Sequence, residues 1–156
     1  MWLDTLQEKH YRALYEITRK VEPYNAAMLY EQFSLVMSRR EGFVVVTPSG
    51  ELAGCISFSD YVPGSNIMIH CTIDEKYQRR WCTRKILKEV YSYIFKILDL
   101  PRVSGFCIVG VSDKAGEFHL ALGGKYEGTI RKGALLPDGL YDVNLYGMLK
   151  EECRWI

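Results

Sequence analysis

The stretch "DEKYQRRWCTRKILKEVY", Asp74 to Tyr91, joins a predicted strand to a predicted helix and carries an unusual charge pattern. Six cations stand within thirteen positions with no acid among them: Lys76, Arg79, Arg80, Arg84, Lys85 and Lys88. The first amides of a helix have no internal hydrogen-bond partner, and the peptide dipoles add partial positive charge at that end. Forked arginine donors suit phosphate oxygens. The stretch therefore predicts an anion site at a helix N-terminus. A solvated surface is the weaker interpretation, because the like charges repel each other and only Glu89 lies nearby to offset them.

The composition of the whole chain shows that this basic cluster is a local feature. The chain has 156 residues, of which 48% are hydrophobic, and this predicts one globular domain over residues 1–156 with a real core. A formal net charge of +1 argues against general nucleic-acid or membrane binding. No segment has the apolar core of a signal peptide or the length of a membrane span. Five cysteines without a CxxC pair predict free thiols in a reducing cytoplasm, and the three histidines lack metal-ligand spacing, so no metal is expected.

Hydrophobic periodicity gives the order of elements as α α β β β α β α β β, an α/β domain. In the first helix, Leu3, Leu6, Tyr11, Leu14 and Ile17 recur at helical intervals. In the second, Met28, Leu29, Phe33 and Leu35 or Val36 are predicted to face inward. The predicted helices are Leu3 to about Val21, Ala26–Met37, one from Thr83, and Asp113–Leu122 with its stop at Gly123. The predicted strands are Phe43–Thr47, Glu51–Tyr61, Ile67–Ile73, Val103–Val111 and a last hairpin around Leu136–Gly139, whose second strand is Leu140–Leu149.

The loop within the opening stretch carries a family resemblance. Six residues occupy in order the places of the pattern Q/R-x-x-G-x-G/A: Gln78, Arg79, Arg80, Trp81, Cys82 and Thr83. With the strand before it, "IHCTIDEKYQRRWCTRKIL" resembles the acetyl-CoA-binding segment of the GCN5-related N-acetyltransferases, the GNAT superfamily. Downstream, "EFHLALGGKYEGTIRKG" is similar to a later segment of that family. "RRWCTR" and the terminal "LYGMLKEECRW" resemble small bacterial and bacteriophage-encoded members. Trp81 and Thr83 replace both glycines of the pattern, which usually serve close approach or positive φ.

The resemblance implies a central mixed, mostly antiparallel sheet flanked by helices. It also implies that the fourth and fifth strands, here Ile67–Ile73 and Val103–Val111, splay apart to admit the pantetheine arm. The implied activity is transfer of acetyl from acetyl-CoA to an amine by direct attack in a ternary complex, without a metal.

The resemblance also assigns coenzyme-binding residues. The backbone of Cys71 to Ile73 would run beside the pantetheine arm and offer an amide to the thioester oxygen, where a preorganised donor stabilises developing charge. The amides around Arg79 to Arg84 would hold the pyrophosphate, with arginines near the phosphates. The full set is Cys71, Thr72, Ile73, Gln78, Arg79, Arg80, Trp81, Cys82, Thr83, Arg84 and Ser112.

Acetyl transfer to an amine needs a base and a proton donor. Asp74, at the end of the strand, is the first candidate for a base acting through water, and a plain turn residue is the alternative. His70 titrates in the right range, although a strand histidine held by a hydrogen bond explains it as well. His119 stands where the family often has a proton-donating tyrosine. It is equally a helix residue facing solvent, and Tyr126 and Ser112 are alternative donors. Ser112 with Asp113 is also a simple helix N-cap.

Several alternatives stay open at the level of sequence. A GNAT scaffold without catalysis would serve as a CoA-binding or protein-interaction module. Nucleic-acid binding through Lys76–Lys88, with Tyr77 and Trp81 stacking on bases, is disfavoured by the flat overall charge. The acceptor is a small-molecule amine, a peptide N-terminus or a protein lysine, and the acyl chain is acetyl or longer. Homodimerisation through the last strand is a further open alternative.

Overall fold

The structure is a computed structural model that describes all residues, Met1–Ile156, and it divides into two compact units. The first unit comprises Met1–Ser59 and Ile69–Glu89, and the second comprises Asp60–Met68 and Val90–Ile156. No helix is both long and apolar enough to cross a membrane. All five cysteines are free, as the sequence predicts.

The chain forms four α-helices and seven strands. The helices are α1 (Tyr11–Val21), α2 (Tyr30–Ser38), α3 (Arg84–Ser92, continued by a π-helical turn at Tyr93–Ile97) and α4 (Asp113–Leu122). The strands are β1 (Trp2–Thr5), β2 (Glu41–Val46), β3 (Leu52–Val62), β4 (Asn66–Ile73), β5 (Arg102–Ile108), β6 (Lys125–Leu136) and β7 (Gly139–Leu149).

The strands form the mixed, mostly antiparallel sheet that the sequence predicts. In the first unit the neighbouring strands follow the order β1-β2-β3-β4, and in the second the order β4-β5-β7-β6. The ladders β1–β2, β2–β3, β5–β7 and β6–β7 are antiparallel. Strands β4 and β5 are parallel, with Met68 opposite Ser104 near the start of each strand. This pairing is consistent with the predicted splay between the fourth and fifth strands.

The prediction of a helix from Leu3 is wrong at its N-terminal end. Trp2–Thr5 form strand β1, which pairs antiparallel with β2 and places Leu3 opposite Val45. Helix α1 begins only at Tyr11, after a 3₁₀ turn at Glu8–His10. The apolar spacing of this segment suits a helix, but pairing with β2 satisfies the backbone groups of a strand edge, and that long-range gain overrides the local pattern.

The second helix is shorter than predicted and differs in its buried face. A 3₁₀ turn at Pro23–Asn25 precedes it, and α2 starts at Tyr30 rather than Ala26. Phe33 is buried as predicted, whereas Leu29, Leu35 and Val36 are exposed and Met37 is buried instead. The core of the first unit therefore has one contiguous cluster, formed by Tyr11, Leu14, Tyr15, Phe33, Met37, Val44 and Cys55.

The C-terminal elements of the second unit follow the predicted boundaries. Helix α4 spans Asp113–Leu122, and Gly123 ends it with φ +107°, a left-handed conformation that suits glycine. The hairpin β6–β7 turns at Pro137 and Asp138, and β7 lies between β5 and β6. The terminal Trp155 donates its indole N–H to the carbonyl of Leu122 at 2.8 Å, which fastens the chain end to the end of α4.

We expect Leu14→Ala to lower the free energy of unfolding by about 2–5 kcal/mol, because Leu14 is fully enclosed and its removal leaves a cavity. Leu35→Ala is the matched control: its side chain is 55% exposed, so the change should stay within about 0.5 kcal/mol. Urea unfolding of both variants measures the difference. Equal losses would contradict the buried face assigned to α2.

Candidate functional site

The loop between β4 and α3 begins with a capped turn. The backbone N–H of Asp74 donates to the Ala53 carbonyl at 2.9 Å, which extends the pairing of β4 with β3. Its carboxylate accepts from the Lys76 amide at 3.1 Å and so caps the 3₁₀ turn Glu75–Tyr77. It also lies 3.4 Å from the Nζ of Lys20 on α1. Asp74 is thus a turn residue that caps the 3₁₀ turn, the role predicted as the alternative to a catalytic base.

Tyr77 and Trp81 shape the loop without glycine. The Tyr77 carbonyl accepts from the amides of Arg80 at 2.8 Å and Trp81 at 3.1 Å, and Thr83 donates to the Trp81 carbonyl at 2.9 Å. Neither Trp81 nor Thr83 has a positive φ. The Trp81 side chain is buried, with 6% of its surface exposed. The bulky residue therefore occupies the pattern's glycine place in an ordinary backbone conformation, with its indole enclosed rather than covering the outside of the loop.

The loop amides divide into two sets. Those of Gln78, Arg80, Trp81 and Thr83 donate to carbonyls within the loop. Those of Arg79, Cys82 and Arg84 have no acceptor in the chain. At the helix start, the Thr83 hydroxyl accepts from the Ile86 amide at 3.3 Å and acts as the cap of α3. The anion site predicted from the sequence is thus reduced to three donors, the ones a bound anion would satisfy.

Part of the basic cluster is neutralised by acids. Glu51 accepts hydrogen bonds from the Lys76 ammonium and the Tyr77 hydroxyl, and these bonds lower the pKa of the Glu51 carboxyl. Lys85 lies 4.0 Å from Glu89 one helical turn on. The other side chains of the cluster have no acid partner, and Arg80 instead donates to the Lys76 carbonyl at 3.2 Å. Three exposed cations therefore make no ion pair or hydrogen bond through their side chains: Arg79, Arg84 and Lys88.

The end of β4 presents the other residues assigned to the coenzyme. Cys71 is exposed and Ile73 is buried. The hydroxyl of Thr72 donates to Oε1 of Glu22 at 2.8 Å. His70 Nε2 lies 2.7 Å from the Ser59 hydroxyl, so this histidine is held by a hydrogen bond. These residues, Asp74 and the loop all belong to the first unit.

In the second unit, His119 turns toward the sheet rather than toward solvent. A Cβ placed on Gly105 of β5 would lie 2.0 Å from the imidazole Cε1, so the ring lies directly over the glycine. The ring also stacks on Tyr146 of β7, with centroids 5.5 Å apart and an interplanar angle of 19°. Burial lowers the pKa of His119 below its ordinary value of 6.5. The neutral form of the imidazole therefore predominates at pH 7. The contacts with Gly105 and Tyr146 show that the side chain does not face solvent.

The two alternative donors have different surroundings. Tyr126 is exposed, packs edge-on against Tyr146 with centroids 6.1 Å apart, and hydrogen-bonds through its hydroxyl to Thr129 at 2.6 Å. His119 and Tyr126 thus share one aromatic neighbour.

Ser112 lies at the N-cap position of α4, seven residues and about 10 Å along the helix from His119. The predicted N-cap residue is thus confirmed, although its hydroxyl accepts from the Ile108 amide at 2.8 Å rather than from a helix amide. Asp113 likewise accepts from the amide of Gly110, at 3.0 Å, and both acceptors serve the β5–α4 connection.

Comparison with known proteins gives a consistent fold. A spermidine N-acetyltransferase SpeG from Vibrio cholerae, solved with CoA and spermine, superposes with a TM-score of 0.79 at 18% identity, covering 97% of this chain and 96% of that one. A GNAT-family acetyltransferase from Bacillus anthracis gives 0.76 at 19% identity over 96% and 95% of the two chains. A putative acetyltransferase gives 0.77 at 22% identity over 96% and 83%. No protein-family model and no curated protein sequence matches the chain.

The chain has the GNAT fold. Its seven strands and flanking helices follow the architecture of these acetyltransferases. At 16–22% identity the likeness fixes the fold and leaves the reaction to be argued from this chain's own residues.

Sequence reasoning missed three residues that contact the candidate residues of the two units. Glu51 fixes the turn before the loop, Glu22 binds Thr72, and Tyr146 packs against both His119 and Tyr126. The first two pairs are 26 and 50 positions apart in sequence. The strand alternation gave no signal for Tyr146, since Asp142 and Asn144 lie on the same strand face and predict that face to be exposed.

The surroundings of His119 predict how it titrates. We expect its ring protons, followed by NMR, to titrate below pH 6.5. Because the unfolded chain then binds this proton more tightly than the folded one, the stability that His119 contributes is present above pH 6.5 and is lost as the pH falls below it.

Gly105→Ala should displace the imidazole and move the pKa of His119 back toward 6.5. His10, in the first unit, is the internal reference and should titrate as it does in the parent chain. An unchanged His119 titration in the alanine variant would contradict the contact with Gly105.

Proposed function

We propose that the chain is an acetyl-CoA-dependent N-acetyltransferase whose β4–α3 loop binds the coenzyme pyrophosphate. The observation that carries the proposal is the coincidence, within ten positions, of three amides without an acceptor and three cations without an acid. The shared fold with acetyltransferases, one of them solved with CoA, supports it.

The loop fits a diphosphate chemically. Arg84 is the first residue of α3 and Cys82 lies two positions before it, so their amides are donors at the helix N-terminus, where the peptide dipoles favour negative charge; the Arg79 amide lies farther back in the loop. The guanidinium groups of Arg79 and Arg84 add forked, charge-assisted donors. An anion here would satisfy groups that the folded chain leaves unsatisfied, without displacing the bonds that hold the loop.

The reaction follows from the two substrates. The neutral amine nitrogen attacks the thioester carbonyl, the new C–N bond forms, the C–S bond breaks, and the CoA thiolate leaves and takes up a proton. An alkyl ammonium, with a pKa of about 10.4 for lysine, must first lose a proton. In this proposal Asp74 or His70 accepts that proton through water. Neutral His119 then takes the proton that the attacking nitrogen loses as the C–N bond forms and delivers it to the thiolate; failing His119, the Tyr126 hydroxyl protonates the thiolate. The amide of a residue in Cys71–Ile73 donates to the thioester oxygen.

We expect Arg79→Ala and Arg84→Ala each to weaken CoA binding by about three- to tenfold, because each removes a charge-assisted donor at an exposed site. Isothermal titration calorimetry with CoA measures the dissociation constants. Binding by the parent chain should also weaken as salt is raised, as expected for contacts to phosphate.

Arg131→Ala is the matched control, since Arg131 is an exposed arginine of β6 in the second unit. It should leave CoA affinity unchanged. No heat of binding for the parent chain at millimolar CoA would overturn the proposed function. Equal losses of CoA affinity in all three variants would show that the β4–α3 loop is not the CoA-binding site.

A CoA-binding module without catalysis is the second candidate. Two observations favour it: four of the loop amides already bond internally, and a neutral histidine stands in the place of the family's usual tyrosine. A thiol-release assay over a panel of amines separates the two functions. Turnover that disappears in His119→Ala, in a variant that still binds CoA, would refute the module.

A further inference from the structure

Glu22 differs from the other acids of the chain in its surroundings. Three acidic residues are half-buried, namely Glu22, Asp74 and Glu152, while all the others are exposed. Asp74 pairs with Lys20, and Glu152 pairs with Lys125. Glu22 forms no ion pair, although ionised groups removed from water are ordinarily compensated by an opposite charge.

Neutral donors hold the Glu22 carboxylate in place. Oε1 accepts from the Thr72 hydroxyl at 2.8 Å and Oε2 from the side-chain amide of Asn25 at 2.7 Å. Burial, together with the nearby negative charge of Glu22, raises the pKa of Tyr24. Each carboxylate oxygen has more than one acceptor position, so these bonds orient the group and still leave room for another donor.

The carboxylate lies beside the strand segment proposed to receive the coenzyme arm. Glu22 is the C-cap of α1, and two contacts join the end of this helix to the end of β4: Lys20 to Asp74, and Glu22 to Thr72. Thr72 is the middle residue of Cys71–Ile73. The unpaired negative charge therefore contacts the side chain of the middle residue of the segment proposed to run along the thioester.

We infer that Glu22 binds the ammonium group of the acceptor, so that the acceptor class is a cationic alkylamine. This inference rests on the proposed acetyltransferase function and adds to it the charge of the second substrate. An ammonium would supply the missing opposite charge, and it would donate to carboxylate lone pairs that Thr72 and Asn25 leave available. Amines that are neutral at pH 7, such as arylamines, gain nothing from this contact.

A purely structural role explains less. Fixing the α1 end to Thr72 needs only an oxygen acceptor, which the amide oxygen of glutamine also provides. A carboxylate in the same place costs more desolvation than an amide, and Glu22 makes no ion pair to offset that cost.

The test compares Glu22→Gln with Glu16→Gln, a matched control on the same helix whose carboxylate is exposed. The probes are putrescine, spermidine and a lysine peptide as cationic amines, and aniline as a neutral one. Calorimetry with the CoA-bound protein reports amine binding, and a thiol-release assay reports kcat and KM. In Glu22→Gln we expect the Kd or KM for at least one cationic amine to rise by about tenfold or more, the scale of one charge-assisted hydrogen bond. The KM for acetyl-CoA should change less than twofold. Glu16→Gln should behave as the parent chain.

Thr72→Val, which keeps the shape of the side chain and removes its hydroxyl, should raise the same constant to a smaller extent. The inference is overturned if Glu22→Gln and Glu16→Gln bind every cationic amine equally, or if the parent chain prefers aniline. Either result with intact CoA binding leaves the proposed function standing. Loss of CoA binding by the parent chain itself overturns the function and the inference together, so the two failures are distinguishable.

Discussion

Burial of the Trp81 indole is the constraint on which the candidate coenzyme site depends. The indole is 6% exposed, and removal of a buried aromatic side chain of this size typically costs about 3–5 kcal/mol. With the ring fixed inward, the Tyr77 carbonyl accepts two consecutive amides, and the chain enters α3 at the Thr83 cap. In this loop a buried aromatic side chain therefore fixes the backbone conformation, whereas in the usual pattern glycines allow the loop to adopt it. The donors left over belong to residues on either side of the tryptophan.

The sequence correctly predicted the elements whose ends depend only on neighbouring residues. Helix α4 ends at Gly123 as expected, since a single glycine in the left-handed conformation ends a helix. The hairpin is likewise determined by its own turn residues, Pro137 and Asp138. Strand β1 was missed because four residues carry too little periodicity, and its backbone bonds come from β2, about forty positions away. The buried face of α2 was misjudged for a related reason: both sides of the helix carry apolar residues, and only packing selects between them.

The candidate site could be predicted in its charges but not in its contacts. The cationic loop is continuous in sequence, so Arg79 and Arg84 were named from the pattern alone. That Glu51 would neutralise Lys76, or that His119 would lie over Gly105, depends on which elements become neighbours. Residue type alone does not predict these pairings, because a lysine in the sequence can be either free in solvent or paired with an acid. Pairing therefore matters for the proposed function, since only the unpaired members of the cluster remain available to an anion.

The uncompensated charges of the first unit also suit the direction of the reaction. Acetylation turns a cationic ammonium into a neutral amide, and it turns a thioester into a free thiol while leaving the diphosphate unchanged. In the proposed reaction, Glu22 would therefore attract the acceptor and lose that attraction once the product has formed, whereas Arg79 and Arg84 would hold the coenzyme equally before and after transfer. Because the ammonium must lose its proton before attack, the inferred contact with Glu22 would be strongest before the chemical step. Such a contact improves capture of the substrate and product release rather than the chemical barrier itself.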